Sequence, residues 1–334
     1  MDTIGIGSSG TVASRIALGT WAIGGWMWGG TDIRDALRTI HEAIDRGITM
    51  IDTAPVYGFG HAEEIVGRAL RKGGRRDRVL IATKCGLSWQ RNKVFRSAVS
   101  WRVKQEVEDS LRRLRTDRID LYQVHWPDPL VPIEETAAAM SALLKQGKIR
   151  AIGVSNFSPA QMETFRQVAP LHATQPPYNL FERAIDADVL PYTRKAGLSV
   201  LAYGALCRGL LSGRISATTQ FSGDDLRRTD PKFQQPRLAQ YLAAVAELDR
   251  FAQVNYRKSV LALAIRWVLD QGPTIALWGA RRPDQLNAVD EVAGWSLDAT
   301  ALREIDAILA RTITDPVGPE FMAPPAAPAA RAVA

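Results

Sequence analysis

Residues 50–58 read MIDTAPVYG, and this stretch decides the fold. A short apolar run ends at Asp52, and Tyr57 follows five residues later among the turn-forming residues Pro55 and Gly58. This layout predicts a β-strand that ends in a loop, where functional residues concentrate. A tyrosine acts as a general acid near neutral pH only when its pKa, about 10 in water, is lowered. Tyr57 therefore needs a charged partner from another strand end.

Other apolar runs are also followed by a polar residue. Lys84 follows residues 79–83, and His125 follows residues 119–124. Eight strand candidates, each followed by a helix candidate, lie at residues 15–20, 50–54, 78–84, 119–125, 149–156, 173–178, 199–206 and 274–279. Repeated strand–helix alternation predicts a parallel sheet. Eight units in roughly 300 residues fit a closed barrel better than an open doubly wound sheet. The predicted fold class is therefore α/β, a single (β/α)8 TIM barrel.

The placement of polar residues supports the barrel. Six of them lie near the C-terminal ends of their strands: Asp52, Lys84, His125, Asn156, Gln175 and Tyr203. A barrel gathers these ends on one face, where barrel enzymes carry their active sites, whereas an open sheet gathers them less evenly. The sequence therefore predicts one functional face.

Three segments depart from the alternation. Residues 5–10, GIGSSG, match the glycine fingerprint of dinucleotide-binding folds, but no strand precedes them, so we interpret them as an N-terminal hairpin or flexible start. Residues 213–235 are polar and without a period, which predicts a long loop on the functional face, either a lid or a cofactor clasp. Residues 323–334, rich in Ala and Pro, predict a disordered C-terminal tail after a single barrel domain at 1–322.

Composition narrows the function classes. A hydrophobic content of 46% predicts a packed core, and the net charge of +7 comes from basic residues interleaved with acidic ones, as on solvated helix faces. We therefore expect no nucleic-acid partner, although the charge leaves that alternative open to test. Two distant cysteines, no secretory signal and no apolar run near ~18 residues predict a cytoplasmic protein without a membrane span. No metal site is predicted, and the oligomeric state is left open.

Motifs in a fixed order run along nearly the whole chain: GTW at 19–21, IDTA at 51–54, YG at 57–58, TK at 83–84, VH at 124–125, GVSN at 153–156, Gln175, and GAR at 279–281 with Gln285. Together they resemble the aldo-keto reductase superfamily. ALWGAR at 276–281 and DPVGPEFMAPP at 315–325 are further similar to a bacterial subgroup with inositol-locus and general-stress aldo-keto reductases and a glycerol dehydrogenase. The resemblance agrees with the predicted barrel.

The resemblance implies NADP(H)-dependent interconversion of small aldehydes or ketones and alcohols. Tyr57 would donate a proton to the carbonyl oxygen as hydride arrives, and in the oxidative direction its tyrosinate would act as a base. Lys84, paired with Asp52, would lower the pKa of the phenol. His125 would hydrogen-bond and orient the carbonyl.

The same resemblance implies the cofactor contacts. Ser155, Asn156 and Gln175 would bind the nicotinamide carboxamide, Tyr203 would stack on its ring, and residues 205–209 would form the pyrophosphate loop. A guanidinium matches phosphate well, so Arg281 and Arg282 after the last strand favour NADP over NAD. The implied cofactor-binding residues are Thr20, Trp21, Asp52, Ser155, Asn156, Gln175, Tyr203, Gly204, Ala205, Leu206, Cys207, Arg208, Gly209, Gly279, Ala280, Arg281 and Gln285.

Tryptophans in loops just beyond strand ends predict an apolar substrate pocket, although core packing can account for any single one. The predicted pocket residues are Trp21, Trp26, Trp28, Tyr57, Trp89, His125 and Trp126. A pocket crowded with tryptophan suits small carbonyl compounds better than steroids. The alternative to an enzyme is a regulatory or interaction protein on the same fold with vestigial activity, and the complete set of four catalytic candidates argues against it.

Overall fold

A closed barrel of eight parallel strands forms the centre of the computed structural model, which describes residues 1–327. The strands of the described chain are β1 (Thr3–Gly5), β2 (Val12–Ser14), β3 (Ile16–Gly19), β4 (Met50–Asp52), β5 (Leu80–Cys85), β6 (Leu87–Gln90), β7 (Lys93–Arg96), β8 (Leu121–Val124), β9 (Ile152–Ser155), β10 (Ala173–Gln175), β11 (Ser199–Ala202) and β12 (Thr274–Gly279). The barrel runs β3-β4-β5-β8-β9-β10-β11-β12, and β12 closes it by pairing with β3. The predicted (β/α)8 TIM barrel is confirmed.

Helices surround the barrel and bury one face each against it. They are α1 (Trp21–Gly24), α2 (Ile33–Asp45), α3 (His61–Leu70), α4 (Ser100–Leu114), α5 (Ile133–Lys145), α6 (Pro159–Arg166), α7 (Val189–Ala196), α8 (Arg237–Tyr256), α9 (Val260–Leu269) and α10 (Ala299–Thr312). In α2 the buried residues Ala36, Ile40 and Ala43 repeat at helical spacing, so they lie on one face of the helix. Ser158 begins α6 in a reciprocal capping box with Gln161.

The core has two layers. Small and medium side chains fill the barrel interior, among them Ala17, Met50, Leu121 and Ile275, while a larger cluster packs between strands and helices. At the N-terminal end of the strands, β1 and β2 form an antiparallel hairpin that adds Ile6 to the inner cluster. The glycine-rich residues 5–10 thus form a hairpin connection, and their interpretation as a hairpin is confirmed.

Two segments differ from the predictions. The hairpin β6–β7, which follows β5 outside the barrel, was not predicted. Residues 213–235, by contrast, form the predicted long loop on the functional face, where the backbone N–H of Leu226 donates to Met27 O at 3.0 Å, and they contain short 3₁₀ turns at Leu226–Arg228 and Pro231–Phe233. Residues 323–327, assigned by sequence to a disordered tail, are instead in place: the backbone N–H of Arg96 donates to Pro325 O at 2.9 Å. The rest of that predicted tail, 328–334, lies outside the described residues.

Within residues 1–327, no helix combines the length and apolar character needed to cross a membrane. The same residues bring no three His, Cys, Asp or Glu side chains together in a way that would hold a metal ion. Both cysteines, Cys85 and Cys207, are buried and reduced.

Candidate active site

The predicted catalytic side chains meet at the C-terminal end of the barrel. Asp52 is the last residue of β4, Lys84 lies near the end of β5, and His125 follows β8 directly. Tyr57 reaches the same point from the turn after β4. That turn needs glycine, because Gly58 has φ +67° and a Cβ on it would lie 2.2 Å from Gly24 O.

Lys84 is the centre of the site. Its side chain is fully buried, and Nζ donates to Asp52 Oδ2 at 2.7 Å, to Thr53 O at 2.9 Å and to Tyr57 OH at 3.3 Å. An ammonium has three protons, so these contacts use all of its donors and fix its position. His125 completes the group from the other side of the phenol, with its ring edge-on to Tyr57 at a centroid distance of 5.9 Å.

Both carboxylate oxygens of Asp52 accept hydrogen bonds. Oδ2 accepts from Lys84, while Oδ1 accepts from Gln175 Nε2 at 2.8 Å and from Gln123 Nε2 at 3.3 Å. The sequence did not single out Gln123, which lies directly opposite Lys84 in the register of β5 and β8. The sequence feature that could have identified Gln123 is a polar amide side chain within the otherwise mostly apolar strand β8. These bonds hold a buried carboxylate in one orientation beside the cation.

The pKa of Tyr57 differs from the prediction. Burial raises the pKa of the phenol well above its usual value of 10, and the charge of Asp52 raises it further. The net shift of the pKa is therefore opposite to the predicted lowering, because burial, and after it the charge of Asp52, sets its direction. The phenol is fully protonated at neutral pH, which is the form that can donate a proton.

His125 is neutral. Burial lowers its pKa well below the usual 6.5, and the positive charge of Lys84 lowers it further. A neutral imidazole has one N–H donor and one acceptor nitrogen, so His125 can donate a hydrogen bond without adding a second cation beside Lys84.

We expect this shift to appear in the pH dependence of folding. Because the unfolded imidazole takes up a proton near pH 6.5 and the folded one does not, the unfolded state binds more protons below that pH. The stabilisation is complete above pH 6.5 and is lost as pH falls. Between pH 7.5 and 5.5, urea unfolding should show the wild type losing about 1.4 kcal/mol relative to His125→Asn. A difference that stays constant with pH would mean that His125 titrates normally.

Two adjoining cavities meet at this cluster and share Trp21, Tyr57 and Tyr203. The larger, about 350 Å³, runs from the strand ends past the loop after β11 to the residues after β12. The predicted cofactor residues that line it are Thr20, Trp21, Asp52, Tyr203, Gly204, Ala205, Leu206, Arg208, Gly209, Gly279, Ala280, Arg281 and Gln285. We call this cavity the cofactor cleft.

The carboxamide candidates lie in the smaller cavity and bond to one another. Asn156 Nδ2 donates to His125 O and to Ser155 Oγ, both at 3.0 Å, and Asn156 Oδ1 accepts from Tyr203 OH at 3.0 Å. Ser155 Oγ donates to Gln175 O at 2.6 Å. The predicted group is thus assembled as one network beside the catalytic cluster.

Three predicted cofactor residues are buried or bonded to other residues of the protein, although Arg208 and Gln285 line the cofactor cleft and stay predictions for cofactor contact. Cys207 is buried and lines neither cavity. The guanidinium of Arg208 is taken by Glu182 and Asp230, each at 2.5 Å, so its charge is already neutralised. Gln285 Oε1 accepts from the backbone N–H groups of Arg281 and Arg282, so it shapes that turn. Sequence cannot predict these pairings, because the partners come from other segments.

Four arginines line the far end of the cofactor cleft, and two carboxylates offset part of their charge: Asp225 pairs with Arg227, and Asp284 pairs with Arg214 and Arg282. Arg281 Nη1 donates to Trp28 O at 2.7 Å and Gly30 O at 3.0 Å, and Arg214, Arg227 and Arg282 line the same cleft. Burial and then the like charges of Arg227 and Arg282 lower the pKa of Arg281. This mutual repulsion would be relieved by a bound anion.

The smaller cavity, about 270 Å³, has mostly apolar walls, and we call it the substrate pocket. Five predicted residues line it: Trp21, Trp26, Tyr57, His125 and Trp126. Trp28 lines the cofactor cleft instead, and Trp89 lines neither cavity but packs on Phe59, which packs on Trp26. The walls that sequence missed include Leu87, Val94, Phe321, Met322 and Pro324.

Comparison with known proteins agrees with this geometry. Residues 15–310 match the model described as "Aldo/keto reductase family". The chain is 60% identical over 326 residues to the aldo-keto reductase YhdN of Bacillus subtilis (strain 168), covering 97% of this chain and 98% of that protein. It is 36% identical over 332 residues to the NADH-specific methylglyoxal reductase of Escherichia coli (strain K12), covering 93% and 100%. The structure of the glycerol dehydrogenase AKR11B4 from Gluconobacter oxydans matches with a TM-score of 0.87 and 57% identity, covering 96% of this chain and 99% of that one.

Proposed function

This chain belongs to the aldo/keto reductase family of oxidoreductases, and we propose that it interconverts small aldehydes or ketones and alcohols with NADP(H), using Tyr57 as general acid and base. One observation carries the proposal: the Tyr57 hydroxyl, 3.3 Å from the buried ammonium of Lys84, lies where the cofactor cleft and the substrate pocket meet. A proton donor at that junction can serve a carbonyl carbon that receives hydride from the cleft side.

The residues present fit a nicotinamide cofactor. Ser155, Asn156 and Gln175 offer amide and hydroxyl groups beside the cluster, and the arginines at the far end of the cleft offer charge for phosphate. Such a cofactor, when bound, supplies or accepts the hydride. Arg208 is already paired with two carboxylates, so we assign it to the shape of the loop after β11.

The proton steps follow from the pKa directions. In reduction, neutral His125 donates a hydrogen bond to the carbonyl oxygen, and the protonated Tyr57 gives that oxygen its proton. The tyrosinate left behind is stabilised by Lys84, whose charge is kept by Asp52. In oxidation the same tyrosinate takes the alcohol proton.

The substrate pocket supports a class of substrate. Its walls are tryptophan, other apolar side chains and few polar groups, and its volume of about 270 Å³ suits small molecules. Two relatives are named for small substrates, glycerol and methylglyoxal. We therefore propose small aldehydes, ketones and the matching alcohols as substrates; a cytoplasmic location remains a prediction.

The proposal is tested by following NADPH absorbance with a panel of small aldehydes and ketones, and NADP⁺ reduction with small alcohols and polyols. Turnover that depends on both cofactor and substrate is expected. Cofactor binding without turnover of any compound in the panel would favour the regulatory alternative.

We expect Arg281→Ala to raise the KM for NADPH about 10- to 100-fold and to leave the KM for NADH nearly unchanged. A guanidinium–phosphate pair is worth roughly 1.5–3 kcal/mol, and NADH lacks the 2′-phosphate. Arg250→Ala, an exposed arginine on α8, is the control. The E. coli relative is named NADH-specific, so the cofactor preference needs this measurement. A NADPH preference untouched by the change would refute the role of Arg281, and an equal effect on both cofactors would indicate only its bonds to Trp28 and Gly30.

A further inference from the structure

The substrate pocket has walls from three segments that are distant in sequence. The hairpin β6–β7 contributes Leu87 and Val94, the segment after β8 contributes Trp126, and the C-terminal segment contributes Phe321 and Pro324. None of these walls belongs to a barrel strand, so the barrel alone does not fix their spacing.

Arg96 is the last residue of β7 and thus belongs to the hairpin. Its side chain contacts the other two segments, the one after β8 and the C-terminal one. Its Nε donates to Pro324 O at 2.8 Å and its Nη1 donates to Pro127 O at 3.0 Å. Its guanidinium also lies over the ring of Trp126, 5.1 Å from the centroid. The backbone N–H of the same residue donates to Pro325 O at 2.9 Å.

The chemistry of these contacts is particular to arginine. Within residues 1–327 Arg96 has no carboxylate oxygen within ion-pair distance. The nearby Asp128 accepts from the backbone N–H groups of Ala98 and Leu130. The planar guanidinium directs separate N–H groups at two carbonyls while its face covers an indole, and a lysine ammonium cannot do both. The prolines that accept these bonds have no N–H of their own with which to join a sheet.

We propose that Arg96 is a positioning residue that determines substrate selectivity, by holding the C-terminal segment and Trp126 at a fixed distance across the pocket. This inference rests on the proposed function. Arg96 does not line the pocket, so it acts through Trp126 and Pro324. Without its side chain the wall formed by residues 321–324 loses the hydrogen bond to Pro324 O, while the backbone bond to Pro325 O remains. The wall is then held less firmly, the pocket widens, and small carbonyl compounds are bound less well than bulky ones.

The test compares Arg96→Met and Arg96→Lys with Lys93→Met, which changes an exposed residue on the same strand. The full-length enzymes are assayed with propionaldehyde and with 2-naphthaldehyde, and NADPH binding is measured separately by fluorescence. We expect Arg96→Met to raise the KM for propionaldehyde and to shift the ratio of kcat/KM by about tenfold toward the bulky aldehyde, as the loss of two hydrogen bonds implies. Arg96→Lys should show most of this shift, whereas Lys93→Met and the NADPH dissociation constant should not change.

A second variant separates positioning from general stability. A chain that ends at Ala323 lacks the carbonyls of Pro324 and Pro325 and the Pro324 wall itself, so it should shift selectivity in the same direction. Adding Arg96→Met to it should then have a smaller effect than in the full chain, because only the contacts of Arg96 with Pro127 and Trp126 remain to be lost. Additive effects, or an unchanged selectivity ratio in Arg96→Met with only a lower melting temperature, would overturn the proposal. Should Arg96→Met fail to fold, Arg96→Lys gives the decisive ratio. Absence of carbonyl turnover in the wild type would instead refute the proposed function.

Discussion

Tyr57→Phe is expected to lower kcat for carbonyl reduction about 10²–10⁴-fold, the range that a positioned general acid contributes. The change removes only the hydroxyl, and the remaining ring can keep its stacking on Trp21, at a centroid distance of 6.0 Å. NADPH affinity should therefore stay near that of the wild type. The measurement is single-turnover NADPH oxidation together with a separate binding titration.

Tyr203→Phe is the matched control, because Tyr203 faces the same two cavities but its hydroxyl donates to Asn156. Tyr203→Phe should lower kcat far less than Tyr57→Phe does. The pH profile adds a second readout: with its pKa raised, Tyr57 should make alcohol oxidation about tenfold faster per pH unit as pH rises toward that pKa. This slope should vanish in Tyr57→Phe. A Phe variant with the wild-type rate would falsify the acid–base assignment.

Lys84→Met is expected to cost both activity and about 3–5 kcal/mol of folding free energy, because it leaves the carboxylate of Asp52 buried without its cation. The activity falls because the tyrosinate loses the charge that stabilises it. Urea unfolding and steady-state kinetics measure the two effects, and Lys195→Met, at an exposed position on α7, is the control.

The double variant Asp52→Asn with Lys84→Met distinguishes the two losses. Removing both charges should recover a large part of the stability, because no unpaired ion remains buried, while the activity should stay low. Unchanged stability in Lys84→Met alone would contradict the claim that the variant leaves an unpaired charge buried. Recovery of activity in the double variant would contradict the role given to the ammonium.

Sequence predicted the residues that a barrel gathers by its own symmetry. Asp52, Lys84, His125, Asn156 and Gln175 end parallel strands or follow them directly, so the fold alone brings them to one face. The raised pKa of Tyr57 was not predictable in this way, because it depends on burial and on the charge of Asp52, which act in the same direction. A sequence motif identifies the titratable side chains of the site, whereas their pKa values depend on the distances to neighbouring charges and on exposure to solvent.

Pairings that form between loops were also beyond the sequence. Arg208 belongs to a motif typical of the pyrophosphate loop, yet its partners, Glu182 and Asp230, come from segments with no recognisable pattern. Residues 323–327 have the composition of a disordered tail. The N–H groups of Arg96 that donate to Pro324 O and Pro325 O explain why they are ordered, and these lie on a hairpin that was not predicted. A low-complexity composition indicates that a segment can bury little apolar surface. It carries no information about the hydrogen bonds that neighbouring segments can donate to it.

The pairing of Arg208 has a consequence for how this chain can vary. Glu182 also pairs with Lys232, at 2.8 Å, and Lys232 Nζ donates to Gly318 O. Two cations and two carboxylates thus form a buried neutral quartet: Arg208, Lys232, Glu182 and Asp230. Losing any one member leaves an odd charge in the interior. A single substitution in this quartet should therefore destabilise the fold, whereas a double substitution that removes one cation and one carboxylate should cost less. The long loop that carries Asp230 and Lys232 is thereby coupled in stability to Arg208, which lines the cofactor cleft.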